Sequence, residues 1–172
     1  NGASISAVDH GKSVDTSMGM TPLEGLIMGT RSGDIDPAIV GFLAEKENMS
    51  AEEVISVCNK KSGVLGLSGG VSSDFRDLEA AANDGNEKAK DTLEAYAYRV
   101  AKYIGSYVMA MKGVDVIAFT AGVGENGIDT RAEVLKELEV LGIVLDSDAN
   151  NCRGKEVCIT KEESKIPVWV IP

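Results

Sequence analysis

The 172-residue sequence predicts an α/β domain, with a mixed β-sheet flanked by helices. Three observations predict it. Residues 3–17 alternate polar and apolar around Asp9-His10-Gly11, the pattern of a β-hairpin. Residues 86–112 place Leu93, Tyr96, Val100, Ile104, Tyr107 and Met111 at helical spacing. The apolar run 114–120 then meets a glycine-rich turn, and short strand-like segments follow at 143–145, 156–160 and 166–171. The length suits one domain over residues 1–172.

Each element has its own local reason. In the hairpin, Ala3, Ile5 and Ala7 share one face, and His10, the sole histidine, sits at the tip as a solvated turn residue. Residues 17–37 are loop around a short helix expected from Pro22. Asp36-Pro37 starts the next helix, with Ile39, Val40 and Leu43 as its buried stripe. Ser50-x-x-Glu53 is a capping box, and Val54, Ile55 and Cys58 form the face of the helix behind it. Residues 63–73 read as a Gly- and Ser-rich loop, and Asp74 as the N-cap of a helix lined by Phe75, Leu78 and Ala82. Gly113 ends the long helix, and residues 114–120 read as a buried strand. Thr130-x-x-Glu133 is expected to cap a helix that turns Val134, Leu135, Leu138 and Leu141 inward and stops at Gly142. Trp169 lies on the last strand and is expected in the core.

Composition excludes several function classes. The net charge of −10 argues against a nucleic-acid surface, which needs clustered Lys and Arg. No apolar run is long enough for a membrane-spanning helix. Cys58, Cys152 and Cys158 show neither a disulfide framework nor zinc spacing, so a reducing, cytoplasmic home is expected. The start lacks an initiator Met, and "KIPVWVIP" stops in an apolar run, so both ends read as cut from a longer chain.

One stretch invites a ligand. "AFTAGVGENGIDTR", residues 118–131, holds Gly122-x-Gly124-x-x-Gly127, the spacing of a dinucleotide-binding fingerprint. Asp146, 24 residues after Gly122, stands near the offset of a ribose-binding acid. Three features oppose NAD. The best cap signals, Asp129 and Thr130, follow the third glycine; Glu125 would face phosphates; and only 26 residues follow Asp146. The glycines can instead let backbone lie flat against an adenine or ribose, or form a tight turn without a ligand.

Other segments break that tie. "NGASISAV", "DTSMGMTPLEGLIMGTRSGDIDP", "SGVLGLSGGVSSDFRD" and "FTAGVGENG" together resemble the acetate and propionate kinase family over essentially the whole chain. The resemblance implies a ribonuclease H-like fold of the actin/Hsp70/sugar-kinase type, and most of the C-terminal, nucleotide-binding domain of a two-domain kinase. It implies reversible transfer of a phosphoryl group from ATP to acetate, with Mg²⁺, in a homodimer. Asn1 and Gly2 match the end of that family's phosphate loop. Asp74, Phe75 and Arg76 match its adenosine-side segment, and Gly122, Val123, Gly124, Glu125 and Asn126 its glycine turn on the adenosine. Arg31 matches the arginine that stabilises the transferring phosphoryl group. A planar guanidinium suits that task because it can bridge two phosphate oxygens. Pairing with Asp34 or Asp36 is the structural alternative for Arg31, and helix capping alone is the alternative for Asp74. The family's acceptor pocket and metal-linked glutamate match no position here, so the isolated chain is expected not to turn over. It then serves as a nucleotide-binding or dimerising module, and the four tyrosines of residues 86–112 (Tyr96, Tyr98, Tyr103 and Tyr107) lie on more than one helix face, as at an interface.

Overall fold

The computed structural model describes residues 2–172. They form two compact units. The first holds the residues up to Ser6 together with Thr16–Tyr96, and the second holds Ala7–Asp15 and Ala97–Pro172. Asn1 lies outside the described residues.

The hairpin forms from strands β1 (Ser6–Asp9) and β2 (Lys12–Thr16). Its two-residue turn takes positive φ at both His10 (49°) and Gly11 (76°), the backbone twist that short hairpins favour. Ala3, Ile5 and Ala7 turn inward as the alternation requires, and the His10 imidazole stands in solvent 2.6 Å from Asp9 Oδ1.

In the first unit, the short helix expected from Pro22 is absent; residues 21–30 are turns and bends. The positive φ of Gly25 (106°) and the hydrogen bond from its N–H to Asp34 Oδ1 (2.8 Å) curl this segment back on itself. Helix α1 (Ala38–Glu47) follows Asp36, whose carboxylate accepts from Ala38 N at 2.9 Å. Its expected buried stripe is not buried. Ile39 is exposed, and Val40 and Leu43 are only half-covered; Phe42, outside the expected stripe, is exposed too. An apolar stripe specifies a face, but α1 packs chiefly on α2 (Ala51–Lys60), which leaves part of that face open.

The Ser50–Glu53 capping box is complete, with Ser50 Oγ accepting from Glu53 N and Glu53 accepting from Ser50 N. Val54 and Cys58 are core residues, whereas Ile55 is exposed. The expected loop after Gly63 contains a short helix, α3 (Gly63–Leu67). Helix α4 (Phe75–Asn83) starts at its Asp74 cap and buries Leu78 completely. Burying a leucine contributes roughly 1.5–3 kcal/mol. Phe75 meets Tyr96 edge-on, with ring centroids 4.6 Å apart, which ties α4 to the first half of α5 (Glu87–Met111).

The second unit takes the rest of α5 and the sheet. Strand β3 (Ile117–Thr120) runs parallel to β5 (Val168–Ile171), and β4 (Val157–Cys158) runs antiparallel to β5 on its other side. The mixed sheet is as expected, with shorter strands. Residues 143–145 contribute only a bridge from Leu145 to Thr160. Residues 114–120 are not a buried strand, because β3 lies at the edge of the sheet with Ala118 and Thr120 exposed. Val168 and Val170 are buried, so the period of two turns Trp169 to the opposite, half-covered face rather than into the core.

Helix α6 (Ala121–Asn126) and helix α7 (Ile128–Glu137) follow β3. Thr130 is buried inside the first turn of α7 and does not cap it; Gly127 occupies that position. Val134, Leu135 and Leu138 face inward as expected, and a single 3-10 turn (Glu139–Leu141) ends at Gly142. The short helix α8 (Ser147–Asn150) has no periodic signal of its own. Asp146 Oδ1 starts it by accepting from Asp148 N and Ala149 N, each at 3.0 Å.

Candidate functional site

The candidate residues lie in three constellations, and each has a local cause. The first surrounds Arg31. Residues 28–32 have no regular secondary structure, yet their backbone is knitted to the neighbouring helices. Met28 N donates to Arg31 O (3.0 Å), Ser32 N to Cys58 O (2.9 Å) and Ser62 N to Thr30 O (3.0 Å), while Val64 N donates to Met28 O (2.9 Å) and Leu65 N to Gly29 O (3.0 Å). A loop whose amides are satisfied this way is pre-organised. Gly63 (φ 62°) seals it, because a Cβ there would overlap Met28 O and lie 2.8 Å from Arg31 O.

The loop presents a half-buried Arg31. Its Nη1 lies 3.5 Å from Met28 Sδ, and a Cβ built on Gly2 would sit 3.4 Å from the same nitrogen. The structure thus brings Gly2 and Arg31 together. The alternative pairing is not made: Asp34 Oδ1 accepts from Gly25 N, Asp36 Oδ1 accepts from Ala38 N, and among the described residues no carboxylate lies within salt-bridge distance of Arg31. The guanidinium keeps donors for an anion.

The second constellation is Asp74, Phe75 and Arg76. Asp74 caps α4 by accepting from Arg76 N at 2.9 Å. Its carboxylate also takes the Arg76 side chain as a fork, Nε to Oδ1 at 3.0 Å and Nη2 to Oδ2 at 2.6 Å. That guanidinium, and then the Arg76 backbone N–H, hold the Asp74 carboxyl down at about 2, and the carboxylate in turn raises Arg76. The pair is solvated, so its net strength is modest. Ser72 Oγ accepts from Asp74 N (3.0 Å) and donates to Asp77 Oδ2 (2.8 Å), which orders the approach to the cap. Phe75 is held by its ring contact with Tyr96.

The third constellation is Gly122–Asn126. These residues form α6 rather than an open turn, and the helix begins at Ala121, immediately before the glycine motif. That removes one ground against the dinucleotide reading. Asp146, whose offset had favoured that reading, is instead committed to starting α8. The chain enters α6 through Ala121 at φ 55°, a left-handed value that costs a non-glycine residue about 1 kcal/mol or more. Gly122 is exposed, and Val123, Gly124 and Glu125 are half-covered. Open space surrounds the Cβ position of Gly122, whereas a Cβ on Gly124 would lie 3.4 Å from the backbone of Phe119. Gly122 therefore offers bare backbone at the surface, and Gly124 fits α6 against β3.

Sequence reasoning missed Arg131. It is fully buried in the first turn of α7. Its Nη1 donates to Glu125 O (2.7 Å) and Gly124 O (3.0 Å), Nε to Asn150 Oδ1 (2.8 Å), and Nη2 to Asn150 O (2.7 Å) and Cys152 O (3.1 Å). The available signal was its position, since a cation in the first turn opposes its own helix dipole. Among the described residues no group of His, Cys, Asp and Glu gathers as a metal site.

The family whose model matches is the Acetokinase family, over residues 1–172. The chain is 65% identical over 172 residues to the acetate kinase of Lachnoclostridium phytofermentans and 58% identical to that of Halothermothrix orenii, covering all of this chain and 43% of each relative. Crystal structures agree. The acetate kinase of Porphyromonas gingivalis superposes with a TM-score of 0.95 at 54% identity, over 100% of this chain and 43% of that one. A propionate kinase from Francisella tularensis gives 0.93 at 40% identity, over 99% and 43%. The chain thus spans 43% of the length of the curated relatives it matches.

Proposed function

This chain belongs to the Acetokinase family and has the mixed α/β, actin/Hsp70/sugar-kinase type of fold, and on that premise we propose that it carries nucleotide-side residues of a kinase acting on ATP and acetate. The reaction is direct in-line transfer. A carboxylate oxygen of acetate forms a bond to the γ-phosphorus as the bond from that phosphorus to the ADP oxygen breaks, giving acetyl phosphate and ADP. Such a transfer needs little covalent help from protein; it needs placement and positive charge on the equatorial oxygens.

The observation that carries this reading is Arg31, fixed in a backbone-knitted loop beside Gly2 with, among the described residues, no carboxylate on its guanidinium. Arg31 is the transition-state stabiliser, and Gly2, with Asn1, ends the phosphate loop. Asp74, Phe75 and Arg76, and Gly122, Val123, Gly124, Glu125 and Asn126, serve the adenosine. Mg²⁺ accompanies ATP, and its protein carboxylate belongs outside this chain. Acetate is preferred to propionate because the curated relatives at 58–65% identity are acetate kinases, while the propionate kinase stands at 40%.

The remaining assignments follow the same premise. Three free cysteines suit a reducing cytoplasm. The charge of −10 opposes nucleic acid, and among the described residues no helix is long and apolar enough to cross a membrane. A homodimer is supported by exposed apolar side chains, Phe42 on α1 and Tyr98 and Met109 on α5. Light scattering tests it; a monomer at micromolar concentration counts against it.

Calorimetry of the 172-residue chain with ADP is the direct test. Saturable binding is expected. No saturation at concentrations near 1 mM sinks the nucleotide assignment.

A further inference from the structure

Arg131 takes no part in the reaction proposed above, yet a wholly buried guanidinium is expensive to keep. Its position gives its own helix nothing, because it lies in the first turn of α7, where the macrodipole opposes a cation. For α6 the position is the favourable one. The last carbonyls of a helix have no partner within it. In the glycine segment the carbonyls of 122–125 each have a partner: Gly122 O accepts from Asn126 Nδ2 (3.0 Å), Val123 O from Gly127 N (2.8 Å), and both Gly124 O and Glu125 O from Arg131 Nη1.

The other side of the guanidinium grips a distant part of the chain. Nε and Nη2 hold Asn150 and Cys152, while Asn150 Nδ2 donates to Ile128 O at 3.0 Å. The strap that follows stays close, since a Cβ on Gly154 would lie 3.6 Å from Glu125 Oε1. A planar fork with five N–H donors fits this set; an ammonium with three cannot meet it.

We propose that Arg131 is a positioning residue, which locks the glycine segment 122–126 to the strap 150–154 and thereby sets the affinity of that segment for the adenosine part of a nucleotide. The proposal rests on the nucleotide reading for its ligand, and on the hydrogen bonds alone for the lock. Arg131 acts on the ligand only through Gly124, Glu125 and the helix they belong to.

The test uses the 172-residue chain as R131Q and R131K, with K136Q, an exposed residue of the same helix, as control. Amide exchange is followed without ligand, and ADP binding by calorimetry. Both Arg131 variants are expected to raise exchange at 122–127 and 150–154 by roughly tenfold or more while β5 keeps its protection. The dissociation constant for ADP is expected to rise roughly tenfold, that for inorganic tripolyphosphate to stay within about twofold, and K136Q to match the parent. A merely structural role would loosen β5 equally and weaken both ligands together, which overturns the proposal. So does local loosening with unchanged ADP affinity. If the parent chain binds no ADP, the nucleotide reading fails and the affinity claim with it, while the exchange data still decide whether Arg131 is the lock. Should R131Q not fold, R131K and N150S, which removes the acceptor of Nε, give the same reading.

Discussion

Replacing Gly63 by alanine tests the pre-organised Arg31 loop without any assumption about the ligand. Gly63 has φ 62° and packs on the backbone of Met28 and Arg31. Alanine at positive φ costs about 1–2 kcal/mol, and the restricted unfolded chain returns about 0.4–1 kcal/mol. The added Cβ would also overlap Met28 O and press on Arg31 O and Arg31 N, at 2.8 and 2.9 Å. Backbone atoms cannot swing aside, so this crowding costs a further ~1–3 kcal/mol. Gly85 isolates that last contribution, because it also has positive φ (90°) and meets nothing within 4 Å. The conformational contributions are shared, so G63A should be less stable than G85A by about 1–3 kcal/mol. With a urea dependence of about 2 kcal/mol/M, the unfolding midpoints by circular dichroism should differ by roughly 0.5–1.5 M. Midpoints that coincide within about 0.2 M would refute the claim that Gly63 holds the Arg31 loop by close contact.

Further outcomes are equally specific. In the γ-phosphoryl assay on a chain extended to the length of its relatives, R31A should lower turnover roughly 10³–10⁵-fold, and a loss below tenfold removes Arg31 from the transition state. The 172-residue chain alone should form no acetyl phosphate by hydroxylamine trapping, and turnover at a whole enzyme's rate contradicts its assignment as one part of the machinery. Tyr96 is pushed up to about 12 by burial, so its folded value lies above its unfolded 10.0; stability is complete below pH 10 and falls between pH 10 and 12. Y96F should flatten that alkaline limb, and an unchanged limb would place the transition elsewhere. Asp74, held at about 2 against an ordinary 3.8, contributes stability above pH 3.8 that is lost as pH falls towards 2. Its carboxyl resonance should titrate near 2, and R76A should move that midpoint up towards 3.8; an unmoved midpoint means that the Arg76 fork is absent in solution.

Local chemistry made much of this protein legible from its residues. The Ser50–Glu53 box, the Asp74 cap, the hairpin turn at His10-Gly11 and the period of α5 each depend on atoms a few residues apart. Sequence determined them because capping, turn geometry and helical spacing are short-range. The segments that carry Arg31, Asp74–Arg76 and Gly122–Asn126 were likewise visible as a family pattern. The inferences that failed needed to know what lies on the other side. The stripe of α1 is real, but burial depends on a covering element, and α1 has one on only part of its circumference. Trp169 is as apolar as its neighbours, yet the strand's register turns Val168 and Val170 inward instead. The glycines 122–127 suggest a turn, but a tertiary donor completes a helix there. That donor is the clearest case. Its first-turn position marks Arg131 as unusual but not as buried, because its acceptors come from 124–125 and 150–152 and converge only when the unit is folded. Caps and periods belong to the sequence; the partners of a buried charge belong to the fold, since only long-range packing can replace the water it gives up.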